Sequence, residues 1–165
     1  MNTATSLIGN LISRSRFRKP SLQKDRRQAK RHRMDLPARF RICLPSHPEL
    51  SSAYLAAQVF DLSKLGVGLL ADRVECGGLH IMHPWPATSE QCLLEIKILN
   101  GATALTLHGK AAWYSQQEDG EPFGFRIGIK LVDLNPELNE RIRALIDLKT
   151  RTNEVPSPSE PEKGL

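Results

Sequence analysis

The chain has 165 residues, of which 40% are hydrophobic and 25% charged, enough for one domain with a modest core plus tails and too few for a large multidomain enzyme. Aromatic residues make up only 5%, while Gly and Pro number 11 each. That composition suits a small globular unit rich in turns, with some unstructured chain, and excludes a fibrous or wholly disordered protein. The formal charge of +5 is unevenly placed: residues 1–41 carry 12 Lys/Arg against 2 Asp/Glu, net +10, and the rest carry 11 against 16, net −5.

A domain that holds a long polyanion by charge alone spreads its cations over one folded face, whereas here they precede the first strand. The pattern fits a flexible basic arm or a small anionic ligand, and for Arg14, Arg16, Arg18 and Lys19 a solubilising tail is the plainer reading. Cys43, Cys76 and Cys92 are odd in number and form no CxxC, which predicts reduced, buried thiols in a cytoplasmic protein. No apolar run approaches the roughly 18 residues that span a bilayer, so no signal peptide or membrane span is read. Leu7, Ile8, Leu11 and Ile12 could form a membrane-touching amphipathic face, a frayed tail being the simpler alternative. Residues 1–24 are therefore expected to be a disordered basic tail.

Strand periodicity starts at Ala38, Phe40, Ile42 and Leu44, which alternate with Arg39, Arg41 and Cys43 and predict a half-buried strand closed by Pro45 and Pro48. A second strand is expected at Leu55, Ala57 and Val59 and a third over residues 67–71, joined by Asp61-Leu62-Ser63-Lys64-Leu65-Gly66 as a hairpin turn. Residues 73–90 hold Gly77, Gly78, Pro84 and Pro86 without sustained period and predict a long loop with one short strand near residues 79–82. Alternation returns at Cys92, Leu94, Ile96 and Ile98, breaks at Asn100-Gly101 as a type I′ turn, and resumes from Leu105 to Trp113, which it points inward. A turn at Asp119-Gly120 leads into Phe123, Phe125, Ile127, Ile129 and Leu131, the cleanest alternation in the chain.

Asn135 as N-cap, Pro136 at N1 and Glu137 in the first turn start a helix whose Leu138, Ile142, Leu145, Ile146 and Lys149 stem share one face. Residues 150–165, with Pro156, Pro158 and Pro161 and little apolar content, predict a disordered tail. Together these elements predict a mainly β fold: a small antiparallel barrel of six to seven strands, closed or nearly so, with a C-terminal helix packed across it.

Two stretches could carry chemistry together: Arg27-Gln28-Ala29-Lys30-Arg31 before the first strand, and Asp61-Leu62-Ser63-Lys64-Leu65-Gly66 between the second and third. An Arg-x-x-x-Arg pair is expected by chance in so basic a segment, and Arg14 and Arg18 form another. Order and placement supply the discrimination. With them the chain resembles the PilZ domain, a bacterial receptor family for cyclic di-GMP whose motifs are RxxxR before the first barrel strand and D/NxSxxG between strands. Asp25-Arg26-Arg27-Gln28-Ala29-Lys30-Arg31 followed by Pro37-Ala38-Arg39-Phe40 selects Arg27 and Arg31 over the earlier pair. The resemblance runs through Trp113, Gly124-Phe125-Arg126-Ile127-Gly128-Ile129 and the closing helix, about residues 25–149, and departs from the family at residues 73–90.

The resemblance implies a cyclic di-GMP receptor, with Arg26, Arg27, Arg31, Asp61, Ser63, Gly66 and Trp113 as candidate ligand-binding residues, no metal and no cofactor beyond the ligand. The chemistry fits: guanidinium groups fork onto phosphate and stack on purine, where lysine would supply charge alone. A carboxylate at Asp61 can accept from the guanine N–H edge, the Ser63 hydroxyl can take a remaining polar contact, and Gly66 would allow a positive-φ turn close to the ligand; the plainer reading is an Asx-turn at Asp61 braced by Ser63. Trp113 is either barrel core or, as in some PilZ proteins, an aromatic against a guanine. Arg26, directly before the motif, implies an intercalated ligand pair. Cys76, His80 and His83 lack a fourth ligand in register for zinc and read as loop residues.

No nucleophile elbow, phosphate loop or HExxH occurs, so no enzyme is expected. A basic small barrel binding nucleic acid is the alternative class, weakened by the absence of a row of exposed aromatics; DNA is not expected as a partner. A PilZ-like module that only assembles with proteins would more often lose the Arg or Asp/Ser positions kept here. A conformational signal to a downstream protein of unknown identity is implied.

Overall fold

The computed structural model describes residues 29–153. The expected tail at 1–24, residues 154–165 of the one expected at 150–165, the amphipathic pattern at Leu7–Ile12, and Arg26 and Arg27 lie outside them. Strand β1 runs His32–Cys43, six residues earlier than the alternation at Ala38 suggested, with Met34 and Leu36 already buried. Pro37 masks this start in the sequence. It is tolerated because β1 pairs with its second neighbour only from Ala38 onward, so Pro37 has a ladder on one side alone.

Strands β2 (Leu55–Leu62) and β3 (Gly66–Ala71) form a hairpin whose turn is only residues 63–65, Asp61 and Leu62 being part of β2. Residues 72–92 carry a small two-stranded unit, β4 (Glu75–Cys76) and β5 (Leu79–His80), where one short strand was expected. The positive φ of Gly77 (63°) and Gly78 (78°) makes the reversal between them. Strands β6 (Leu93–Asn100), β7 (Thr103–Gln116) and β8 (Phe125–Val132) complete a closed antiparallel barrel in the order β1-β2-β3-β8-β7-β6. The β6–β7 loop is Gly101-Ala102, and only Gly101 has positive φ, 61°, which makes a type II′ turn in place of the expected type I′, since that would need positive φ at both central residues.

Inward positions fill the barrel with one aromatic, Phe40, and branched aliphatics: Ile42, Val59, Leu69, Leu94, Ile96, Ile98, Leu107 and Ile127, all fully buried. One end is plugged by the 72–92 segment, through Leu79 and Ile81, with Trp85 packed against the same core. The other end carries the β2–β3 and β6–β7 turns and is covered by α1, Pro136–Asn153. The Asn135 side chain caps the helix as expected, accepting from the Leu138 N–H at 2.8 Å, and Ile142, Leu145 and Ile146 are buried. Residues 150–153, assigned above to the tail, continue the helix, with the Thr150 hydroxyl donating to the Ile146 carbonyl at 2.9 Å. All three cysteines are free, but only Cys92 is buried; Cys43 and Cys76 are half-buried. Among the described residues no helix is long and apolar enough to cross a membrane.

Candidate functional site

Outward-facing residues of β2, β3, β8 and β7 line up in one row: Asp61 opposite Gly68, Gly68 opposite Gly128, Gly128 opposite Trp113. Both outer strands reach this row through a β-bulge. On β2, Phe60 and Asp61 together face Gly68; on β7, Ala112 and Trp113 together face Gly128. An inserted residue reverses which way the following side chains point. Thus Leu105, Leu107, Gly109 and Ala111 point into the barrel, but Trp113, which strict alternation points inward, is 39% exposed on the outside.

The two glycines make room for what lies on them. A Cβ at Gly128 would stand 2.2 Å from the Trp113 ring, and a Cβ at Gly68 would stand 2.5 Å from the Phe60 ring and 2.6 Å from Asp61 Oδ1. Asp61 and Trp113 therefore lie down on the sheet from opposite sides and approach each other over the glycine pair. The Arg126 guanidinium stacks on Phe60, 4.5 Å from its ring centre, and fixes that side. Phe60, Gly68, Arg126 and Gly128 were not among the candidate ligand-binding residues, although Arg126 and Gly128 lie in the strand that carries the family resemblance; a glycine on the outer face of an alternating strand is the signal that could have marked Gly68 and Gly128.

Arg31 enters from the segment before β1. Its Nη1 donates to both Asp61 oxygens, at 3.2 and 3.0 Å, so a single nitrogen makes the ion pair. Its Nη2 lies on the Gly66 side, 3.9 Å from where a Gly66 Cβ would be, leaving N–H donors beyond those given to Asp61. Gly66 does not adopt positive φ, contrary to the expectation; a Cβ there would come within 2.9 Å of the Ile129 carbonyl oxygen. Its role is close approach of β3 to β8.

Ser63 is 3% exposed, the one buried polar residue in the described chain. Its Oγ accepts from the Gly66 N–H at 3.0 Å and the Leu65 N–H at 3.3 Å and donates to the Gly66 carbonyl at 3.2 Å. One donor and two acceptor sites are all a hydroxyl has. Ser63 is thus committed to shaping the turn, and the spare polar contact expected of it is already used.

Arg31, Ser63, Gly66 and Trp113, with Leu65, Gly128 and Lys130 among others, line one cleft of about 230 Å³. Asp61 stands at its margin, held by Arg31. Lys130 sits beside Gly66 and Lys110 in the next row of the sheet, so the cleft is bordered by cations. Cys76, His80 and His83 form no metal site, and among the described residues no group of three or more His, Cys, Asp or Glu could hold a metal ion. The His80 and His83 rings stack at 3.9 Å, and His80 Nδ1 already accepts from the Met82 and His83 backbone N–H groups.

The PilZ domain family model matches residues 25–148, which takes in the barrel, most of its helix and the segment bearing Arg31. The chain belongs to the PilZ domain family. Among solved structures it is similar to the PilZ domain of YcgR from Escherichia coli with c-di-GMP, at 14% identity and a TM-score of 0.53, covering 79% of this chain and 99% of that one. The inhibitor of motility MotI/DgrA from Bacillus subtilis gives 10% identity and 0.50, covering 79% and 53%. Escherichia coli YcgR in complex with c-di-GMP gives 15% and 0.51, covering 78% and 48%. At such identities the likeness is one of fold, and the chain spans about half the length of the latter two. No curated protein matches the sequence.

Proposed function

We propose that this chain is a receptor that binds cyclic di-GMP in the cleft between Arg31 and Trp113 and passes the binding event to a partner protein. The observation that carries the reading is the convergence of Arg31, Asp61, Gly66 and Trp113 from three separate stretches of PilZ sequence onto one outer face of the barrel. In this reading the unused Arg31 donors, with Arg27 four residues earlier in the motif, take the ligand phosphates and stack on its bases. The Asp61 carboxylate keeps lone pairs beyond those engaged by Arg31 and accepts from the N–H edge of a guanine. Trp113 offers a flat apolar face to the same base, and Ser63 and Gly66 act through the turn, holding β3 against β8 so that Asp61 and Trp113 stay in reach.

Calorimetry with cyclic di-GMP, GMP and a short DNA duplex tests the proposal. Saturable binding of cyclic di-GMP well above the affinity for GMP is expected, with Arg27→Ala and Arg31→Ala each losing about 2 kcal/mol or more, as for hydrogen bonds to charged groups. Full affinity in both variants, or preference for the duplex, would contradict it. Arg31→Lys is expected to lose most of the same affinity, because the charge is kept and the fork is not.

A further inference from the structure

A second groove, of about 710 Å³, runs between the segment before β1, the β2–β3 turn and α1. Its floor is apolar: Leu65, Leu134, Ile142 and Ile146 line it. Its rim is basic, with Lys30, Lys64 and Arg143 against the single carboxylate of Asp147. Among the described residues Lys30 and Lys64 have no carboxylate at ion-pair distance, and Arg143 has only Glu140, at 3.1 Å in an exposed pair that screening weakens. An apolar floor under a rim with a cationic surplus is complementary to a segment that carries leucine-like side chains on one face and carboxylates beside them.

We infer that this groove docks an acidic, amphipathic segment of a partner protein. The chain's own residues 1–28 are the wrong charge for it, with seven Lys/Arg and one Asp. The position is that of an output surface. Ala29 and Leu65 line both the groove and the Arg31–Trp113 cleft, and successive residues of the entering segment face opposite ways, Arg31 to the cleft and Lys30 and His32 to the groove. The inference goes beyond the ligand reading and stands without it, since it rests on the groove's own shape and charge.

The test is selection of a displayed random library of peptides about 12 residues long, a span of about three helical turns, on the immobilised full chain. The selected peptides are expected to be net negative with at least two large apolar residues. A synthetic copy of the dominant peptide should bind at least about tenfold more weakly to Arg143→Glu and more tightly to Asp147→Lys, both changes being on exposed helix positions. Selected peptides without charge bias, or affinity that fails to move in opposite directions in the two variants, would overturn the inference. Should Arg143→Glu lower the melting midpoint, the decision rests on Asp147→Lys, where unchanged or weakened binding overturns it.

Discussion

Gly68 and Gly128 stand directly opposite each other in the β3–β8 ladder, and each flanking strand spends two residues where the adjoining glycine spends one. The bulges deliver Asp61 and Trp113 to the outer face, and the glycines leave the space in which they rest. Gly128→Ala tests this directly. The new Cβ would meet the Trp113 indole at 2.2 Å, so the ring must leave its seat while the barrel interior is untouched. Cyclic di-GMP affinity should fall about tenfold, near 1.4 kcal/mol, with altered tryptophan emission and a nearly unchanged melting midpoint. In a Trp113→Ala background the same change should cost almost nothing more, because the two act as one unit. Equal losses in both backgrounds would show that Gly128 acts by another route.

Most of the barrel is legible in the sequence because an inward-facing strand must alternate, and β6, β8 and the second half of β1 do so without interruption. What alternation cannot reveal is where it slips. Each bulge is a single extra residue, Phe60 or Ala112, with no residue type to announce it, and so Trp113 was directed to the wrong side. Pro37 concealed the first half of β1 because a proline's cost depends on which neighbours the strand has. In the site, the motif positions could be read off, but not how their bonds are spent: Ser63 exhausts its hydroxyl inside the turn, and Arg31 holds Asp61 with one nitrogen. His32 and Arg33, at the end of the basic stretch whose charge pattern suggested a flexible arm, already pair with Leu62 and Asp61 in the β1–β2 ladder.

On the opposite face of the barrel, Glu95 is surrounded by Arg41 at 2.9 Å, Lys97 at 3.6 Å, His108 at 3.7 Å and a hydrogen bond from the Tyr54 hydroxyl. Burial opposes its ionisation, but the Tyr54 and Arg41 hydrogen bonds and the Arg41 and Lys97 charges outweigh it and bring the carboxyl from 4.5 to about 2. A carboxylate whose folded value lies below its unfolded one stabilises the fold fully above the unfolded value and loses that contribution as the pH falls through the folded one. Glu95 should therefore contribute in full above pH 4.5 and progressively less down to about 2. Melting midpoints of the native chain and Glu95→Gln should differ most near neutrality and converge in acid; a constant gap across that window would show that Glu95 acts by packing.

His80 makes the segment that plugs the far barrel end sensitive to pH in the same direction. Its Nδ1 accepts from the Met82 N–H at 3.0 Å and the His83 N–H at 3.2 Å, which requires that nitrogen to be unprotonated. Burial first, and then the neighbouring His83 ring, push its pKa below 6.5, with Glu75 opposing. The neutral form is the folded form's preference, so the contribution is complete above 6.5 and lost as the pH falls through the depressed folded value. Backbone amide exchange at Met82 and His83, corrected for intrinsic rates, should accelerate on acidification while that of β6 and β8 does not. His80→Asn, which keeps an acceptor without a titrating ring, should flatten the response. Acceleration that persists in this variant would assign the effect elsewhere.

Under the proposed receptor reading, the stoichiometry of ligand binding is expected to turn on Arg26, the residue immediately before the RxxxR motif. Cyclic di-GMP can be held as one molecule or as an intercalated pair, and a pair brings four phosphates and four stacked guanines to one site. The cleft lined by Arg31 and Trp113 measures about 230 Å³, and Arg26 and Arg27 lie five and four residues before Arg31 in the sequence. A third guanidinium there can stack on an outer guanine or fork onto the second molecule's phosphate, neither of which a single bound molecule requires. Two ligands per chain are expected at saturation, and one for Arg26→Ala with the first binding step retained. Calorimetric titration at concentrations well above the dissociation constant measures the ratio. One ligand per chain in the unmutated protein would remove the pair while leaving the receptor reading intact, and loss of all binding in Arg26→Ala would place Arg26 with Arg27 and Arg31 in the primary site.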